Sequence, residues 1–332
     1  MTSEYSPAPL SRLFARMVAL ALLAMLLLLP LNRYLLIWHD WPDLSGTADI
    51  LSGVNPKATN LELVQGLILS GTYLLALGFV LLYVFSTTET RLREESRRFA
   101  GWAFYLLRAA FWVALLVGLA DASIALLRTE ALTPPGVSLN AWLSLDQTAI
   151  RSLVIHTPLI VLALLLAWFI PPLAITWLAL LVVLIEFAIV LLRFVFAYEQ
   201  PFLTDLVRFW YAALFLFAAV YTLVEDGHAR LEVLYSRLGE RGKAWVNALG
   251  SLLLGLPLCW MILLIGLDTQ ESSLAQALLP QTIPPGTTGM YAHYLMAGFL
   301  PVFAVAMGLV FISYFLYSCA DLAQEADMEE DI

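Results

Sequence analysis

Eight long apolar stretches dominate this chain, at 14–37, 63–85, 102–127, 152–170, 173–197, 206–224, 245–267 and 291–317. About 20 apolar residues in a helix cross the roughly 30 Å of a bilayer's hydrocarbon. Inside lipid every backbone polar group must be satisfied within the protein, which leaves helices or a closed barrel. Barrel strands alternate in character, whereas these stretches are continuously apolar, so helices are predicted. The longest connecting segments are 38–62, 128–151 and 268–290. Each falls short of the roughly 40 residues that an unaided soluble core needs. The expected fold is therefore an all-α polytopic membrane protein, with eight transmembrane helices and short interfacial helices.

Composition narrows the function. The chain of 332 residues is 61% hydrophobic and 13% charged, against about 25% charged in a soluble domain. A net charge of −9 leaves no basic face for phosphates, so a nucleic-acid partner is excluded. Two cysteines, Cys259 and Cys319, cannot build a disulfide or zinc framework. No metal-protease, nucleophile-elbow or phosphate-loop signature is present, so no catalytic residue, metal or cofactor is predicted.

Lys and Arg set the orientation. With the N-terminus inside, Arg12, Arg16, Arg91, Arg93, Arg97, Arg98, Arg230, Arg237, Arg241 and Lys243 are cytoplasmic. Arg33, Lys57, Arg128, Arg151, Arg193 and Arg208 fall outside, mostly at helix ends. The bias places both termini in the cytoplasm. Arg12 and Arg16 precede the run Met17–Leu29 as in a signal peptide, but Pro30-Leu31-Asn32-Arg33 follows instead of a small-residue cleavage site. The first stretch is expected to remain as a span.

Two connecting segments are amphipathic. In 138–151, Leu139, Trp142, Leu143 and Ile150 share a helical face, which predicts a helix lying on the outer surface. In 228–241, Leu231, Leu234, Tyr235 and Leu238 form one stripe and Arg230, Arg237 and Arg241 another, as in an inner-leaflet helix against anionic lipid headgroups. Pro171-Pro172 predicts a tight turn that divides the chain into two sets of four helices. Three domains follow: a four-helix region over 1–170, a second over 171–319, and an acidic cytoplasmic tail over 320–332.

Ionisable groups inside spans are expensive. Glu186 stands mid-span, either as an ion relay or as a protonated or paired group in a helix interface; the second reading is preferred. Arg193 shares its face but lies two turns away. Arg108 and Asp121 sit about 20 Å apart on the third span, so each needs a partner elsewhere. Ala110, Ala114, Gly118 and Ala122 form a small-residue ladder on that span; Ser251 with Gly255 and Ala304 with Gly308 repeat the spacing. Such ladders permit close helix packing. His39, His156 and His293 lie toward the outer surface, and His156 with His293 is the pair that a bis-histidine haem would need.

From about 173 to 319 the sequence resembles the small membrane (Q-type) subunit of a tripartite ATP-independent periplasmic (TRAP) transporter. The likeness rests on Arg193-Phe194-Val195-Phe196, then Asp205-Leu206-Val207-Arg208, Ala218-Ala219-Val220-Tyr221, and His228-Ala229-Arg230-Leu231-Glu232. Asp205, Glu232 and Ala218 stand where the family usually has Glu, Asp and Gly. The first four helices have no counterpart in the usual four-helix subunit. The resemblance implies a non-catalytic component of a solute importer in the bacterial inner membrane. It implies two protein partners: a large ion-coupled membrane subunit with an elevator motion, and a periplasmic solute-binding protein delivering an organic acid or similar anion. Arg193, Asp205, Arg208, His228, Arg230 and Glu232 would then help fix the subunit to its partner. Two other readings stand beside it: a self-sufficient channel or transporter using Glu186 and Asp121, and a haem-bearing electron-transfer subunit.

Overall fold

The computed structural model describes residues 10–54, 58–170, 175–225, 235, 237–278 and 289–324. Regular structure among them is helical: α1 Leu10–His39, α2 Leu44–Leu51, α3 Asn60–Ser86, α4 Leu92–Thr129, α5 Leu139–Ser144, α6 Thr148–Phe169, α7 Ile175–Phe196, α8 Pro201–Glu225, α9 Glu240–Gly266, α10 Ser273–Leu278 and α11 His293–Leu322. Eight of these are long and apolar enough to cross a membrane, namely α1, α3, α4, α6, α7, α8, α9 and α11. They coincide with the eight predicted stretches, so the chain is an all-α polytopic membrane protein.

The ends differ from the apolar boundaries for local reasons. α4 begins at Leu92 rather than 102, because its first turns are polar and carry no hydropathy signal. Glu94 and Glu95 there complement the helix dipole, and Arg98 pairs with Glu94 one turn away at 2.5 Å. α3 starts on a capping box, in which the Thr59 hydroxyl accepts from the Glu62 N–H and the Glu62 carboxylate accepts from the Thr59 N–H.

Two spans contain one wide turn each, Ser152–His156 in α6 and Ser251–Gly255 in α9. Pro158 and Pro257 stand two residues beyond their ends. A proline lacks an N–H and crowds the carbonyl four residues back. The ladder loosens there instead of breaking: the Thr157 N–H bonds the Ser152 carbonyl and the Leu256 N–H bonds the Ser251 carbonyl, each across five residues.

The predicted surface helix over 138–151 is instead two pieces. α5 ends at Ser144 and α6 starts at Thr148, with Trp142 buried while Leu139 and Leu143 are exposed. Arg128 explains the inversion: its guanidinium donates to the Trp142 carbonyl at 2.5 Å, lies over the indole ring, and pairs with Asp146. The Pro171-Pro172 turn, most of the basic segment 228–241, and 325–332 of the acidic tail lie outside the described residues.

The chain forms two compact units. Unit 1 is Met1–Ala103, His228–Ser272 and Met307–Ile332; unit 2 is Phe104–Gly227 and Ser273–Ala306. Each unit draws residues from both sides of 171–174.

In unit 1, α1 packs on α3 and α9. Gly308 of α11 meets Leu26 of α1, where a β-carbon would stand 2.7 Å from Leu26 Cδ2. Arg16, 1% exposed, donates to the Thr87 carbonyl at 2.5 Å and to the Glu95 carboxylate at 2.6 Å. Arg93 donates to Asp321 at 2.8 Å. The Ser96 hydroxyl donates to the Ser313 carbonyl at 2.9 Å, and the Ser313 hydroxyl to the Ser96 carbonyl at 2.8 Å. These bonds tie α4 to the C-terminal turns of α11.

In unit 2, α7 packs on α8, and the small-residue ladder of α4 receives α8. The Trp210 indole lies where a β-carbon on Gly118 would stand, 2.4 Å from its Nε1, and its N–H donates to the Ala114 carbonyl at 2.9 Å. Any larger residue at 118 would displace that ring. Tyr105 of α4 reaches α6, donating to the Leu164 carbonyl at 3.1 Å.

Candidate functional site

The polar residues of unit 2 gather where α4 and α7 end and where α6, α8 and α11 begin. Asp121 is the hub of the buried set. It lies near the C-terminal end of α4 with no solvent exposure. Its Oδ1 accepts from Arg151 Nη1 at 2.9 Å and lies 3.3 Å from His156 Nε2. Its Oδ2 accepts from the Tyr291 N–H at 2.5 Å. Arg151 and His156 are equally buried.

Each partner is held in turn. Arg151 Nε donates to the Leu145 carbonyl at 2.9 Å, and its guanidinium carbon sits 4.0 Å from the centre of the Tyr291 ring. His156 Nδ1 lies 2.8 Å from the Tyr294 hydroxyl, and the two rings stack. A neutral imidazole protonated on Nε2 satisfies both neighbours, donating to Asp121 and accepting from the Tyr294 O–H. The wide turn of α6 carries His156 itself. Asp121 thus answers the sequence requirement for a partner with three, from α6 and from the strand of chain leading into α11.

This arrangement bears on the alternatives. The Asp121 carboxylate accepts from two donors, faces an imidazole and has no exposed surface. Both nitrogens of His156 are occupied by Asp121 and Tyr294, and His293 is exposed. Among the described residues no group of three or more His, Cys, Asp and Glu is placed to hold a metal.

Asp205 and Arg208 sit at the start of α8. Arg208 is 70% exposed and its guanidinium is 3.8 Å from Asp205, a loose pair worth little. The tighter partner of Asp205 is backbone: Oδ2 accepts from the Met290 N–H at 3.3 Å. A β-carbon on Gly289 would stand 2.4 Å from that same oxygen, so glycine is what lets the chain pass there. Arg193, at the end of α7, pairs with Glu199 at 2.7 Å with both side chains well exposed. α7 closes with Ala197 in a left-handed conformation (φ 51°), and α4 with Ala131 (φ 50°). Tyr198 and Glu130, just beyond those ends, are joined by a hydrogen bond. Donating to that carboxylate raises the pKa of the Tyr198 phenol above its ordinary value.

Among the described residues, neither Glu186, exposed on α7, nor Arg108, half-buried on α4 with its Nε enclosed, has a hydrogen bond or ion pair. His228, Arg230 and Glu232 lie outside the described residues.

The trio Asp121, Arg151 and His156 could have been found from sequence by membrane depth. Asp121 precedes the outer end of the third span by two turns, and Arg151 and His156 flank the outer start of the fourth. Equal depth on consecutive antiparallel helices places them together. Tyr291 and Tyr294 carried no comparable signal.

The fold defines a multi-pass membrane protein with a cluster of charged groups at the helix ends of one unit. Residues 182–322 match the family model for the DctQ component of tripartite ATP-independent periplasmic transporters. Residues 182–322 are therefore similar to the small membrane component of TRAP transporters, and an additional N-terminal helical region precedes them. DctQ is a family of transporter subunits, not of enzymes. Neither the curated proteins nor the solved structures contain a match to the chain.

Proposed function

We propose that this chain is a non-catalytic brace in a TRAP-type secondary importer. It holds the large ion-coupled membrane subunit in the bilayer and helps to dock the periplasmic solute-binding protein. The observation that carries the reading is the DctQ match over 182–322, joined within each unit to the preceding helices. In unit 2 the joint is Asp121, Arg151 and His156 against Tyr291 and Tyr294; in unit 1 it is Arg93 and Ser96 against Asp321 and Ser313. The extra helices enlarge the rigid frame, with 1–170 as bracing region, 171–319 as attachment region and 320–332 as cytoplasmic tail.

With both termini cytoplasmic, the polar end of unit 2 faces the periplasm. Arg193, Asp205 and Arg208 lie there, near the surface that a solute-binding protein would approach. His228, Arg230 and Glu232 are assigned to the cytoplasmic boundary, against lipid headgroups and the large subunit.

Reconstitution tests the reading. Liposomes holding the large subunit and this chain, supplied with the binding protein, should accumulate solute under an ion gradient. Liposomes with this chain alone should accumulate none, and those without it should lose most uptake. Solute accumulation by the chain alone would replace the brace with a self-sufficient transporter.

A further inference from the structure

Helix α7 carries an acid, Glu186, that has no polar partner among the described residues. Only 11% of its most apolar window is buried, against 50% for α4. Its packed stripe runs through Leu178 and Val182, which face α8. Val183, Phe187, Val190 and Phe194 are exposed on another face, and Glu186, one turn on from Val182, is exposed on the flank between that face and the packed stripe. Glu186 is the twelfth residue of the 22-residue helix, at the middle of the span. Arg193, on the same face, is roughly 10 Å further along the axis and already engages Glu199.

Lipid does not suit such a face. A carboxylate at mid-depth costs several kcal/mol against hydrocarbon, and snorkelling to an interface requires a longer side chain than glutamate has. The exposed face of α3 makes the contrast. Leu74, Leu75, Phe79 and Leu82 are as bare, but no ionisable residue stands among them, and acyl chains suffice.

We propose that the exposed α7 face bordered by Glu186 is a membrane-embedded docking surface for a transmembrane helix of a second polypeptide. That helix presents a hydrogen-bond donor or cation to Glu186 at mid-depth and apolar side chains to Val183, Phe187, Val190 and Phe194. Resting on the functional reading above, the occupant is a helix of the large membrane subunit. A second copy of this chain fits less well, because it would set one Glu186 against another unless a proton were shared. The polar partner supplies register: an apolar face alone allows sliding, whereas one buried hydrogen bond fixes depth and rotation.

The test uses the full chain co-expressed with its large subunit, with a photocrosslinking phenylalanine analogue at Val183 or Val190 and, as controls, at Leu75 or Leu82. Adducts to the large subunit are expected from 183 and 190 and not from 75 or 82. Glu186→Gln, which keeps a donor and an acceptor in place, should retain the large subunit within about twofold, while Glu186→Lys should reduce its recovery by about tenfold or more. Thermal melts of the isolated variants separate lost docking from lost folding. Recovery of the large subunit with wild type while 183 and 190 react only with lipid or with a second copy overturns the assignment of this face and leaves the functional reading standing. Failure of folded wild type to recover the large subunit at all overturns the functional reading, and this inference with it.

Discussion

Asp121 and Glu186 are both carboxylates within spans of unit 2, and they are treated in opposite ways. Asp121 is enclosed, with Arg151, His156 and the Tyr291 N–H around its two oxygens. Glu186 is exposed and has no polar partner among the described residues. The cost of an acid in hydrocarbon is similar for both. It is met internally in one case and passed to another molecule in the other. A buried charge can therefore record how a subunit holds itself together, and an unburied one where it expects company.

The comparison breaks most visibly if the additional helices are removed. A chain reduced to 171–332 loses Asp121, Arg151 and His156 opposite Tyr291 and Tyr294, Ala114 opposite Trp210, and Arg93 opposite Asp321. Its yield in membranes should collapse relative to full length, with aggregation on size-exclusion chromatography in detergent. Recovery as a monodisperse species at full-length yield would show that the second half stands alone.

Asp121→Leu comes next. It leaves Arg151 charged, buried and uncompensated, a loss of about 3–5 kcal/mol, readable as a large fall in the melting temperature of the purified protein. Adding Arg151→Met should restore much of that loss, because an apolar pair of similar volume often matches a buried ion pair. If the double variant melts no higher than the single one, the ion pair is not what Asp121 provides.

Tyr294→Phe removes one hydrogen bond from His156 while keeping the ring stack, and should cost about 1 kcal/mol by the same melt. The smallest effect belongs to the other carboxylate. Glu186→Leu in the isolated chain should change stability by no more than about 0.5 kcal/mol, as for an exposed position without partners. A destabilisation as large as that of Asp121→Leu would place Glu186 among the internal ties and erase the contrast.

The eight spans were legible because hydropathy over a helix length is a local quantity, and a bilayer makes it decisive. The two-piece break at Leu145–Gln147 was not, because a surface stripe through Leu139, Trp142 and Leu143 gives no hint that Arg128, ten or more residues earlier, claims the Trp142 carbonyl. Asp121 was legible as a residue in need of a partner and illegible in its choice. Arg151 and His156 read as helix-end groups until α4 and α6 are laid side by side, and Tyr291 follows a connector of unrelated sequence. Asp205 was read through Arg208, three residues on. Its closer partner is the Met290 N–H, which no motif marks, since any residue supplies a backbone donor. Gly289 could have signalled that close approach.

The wide turns before Pro158 and Pro257 reset the phase of two helices. One added residue delays the helical rotation by about 100°, the angle of a single α-helical step. In α9, Ala244 and Leu263 are both buried, at 3% and 0% exposure. Counted as an unbroken α-helix they would point about 100° apart; with Ser251–Gly255 between them they fall on one line. Thr148 and Ala167 of α6 are realigned in the same way across Ser152–His156. Each of these spans is thus two short helices that share an axis but keep separate clocks, and a periodicity counted through either proline points its second half at the wrong neighbour.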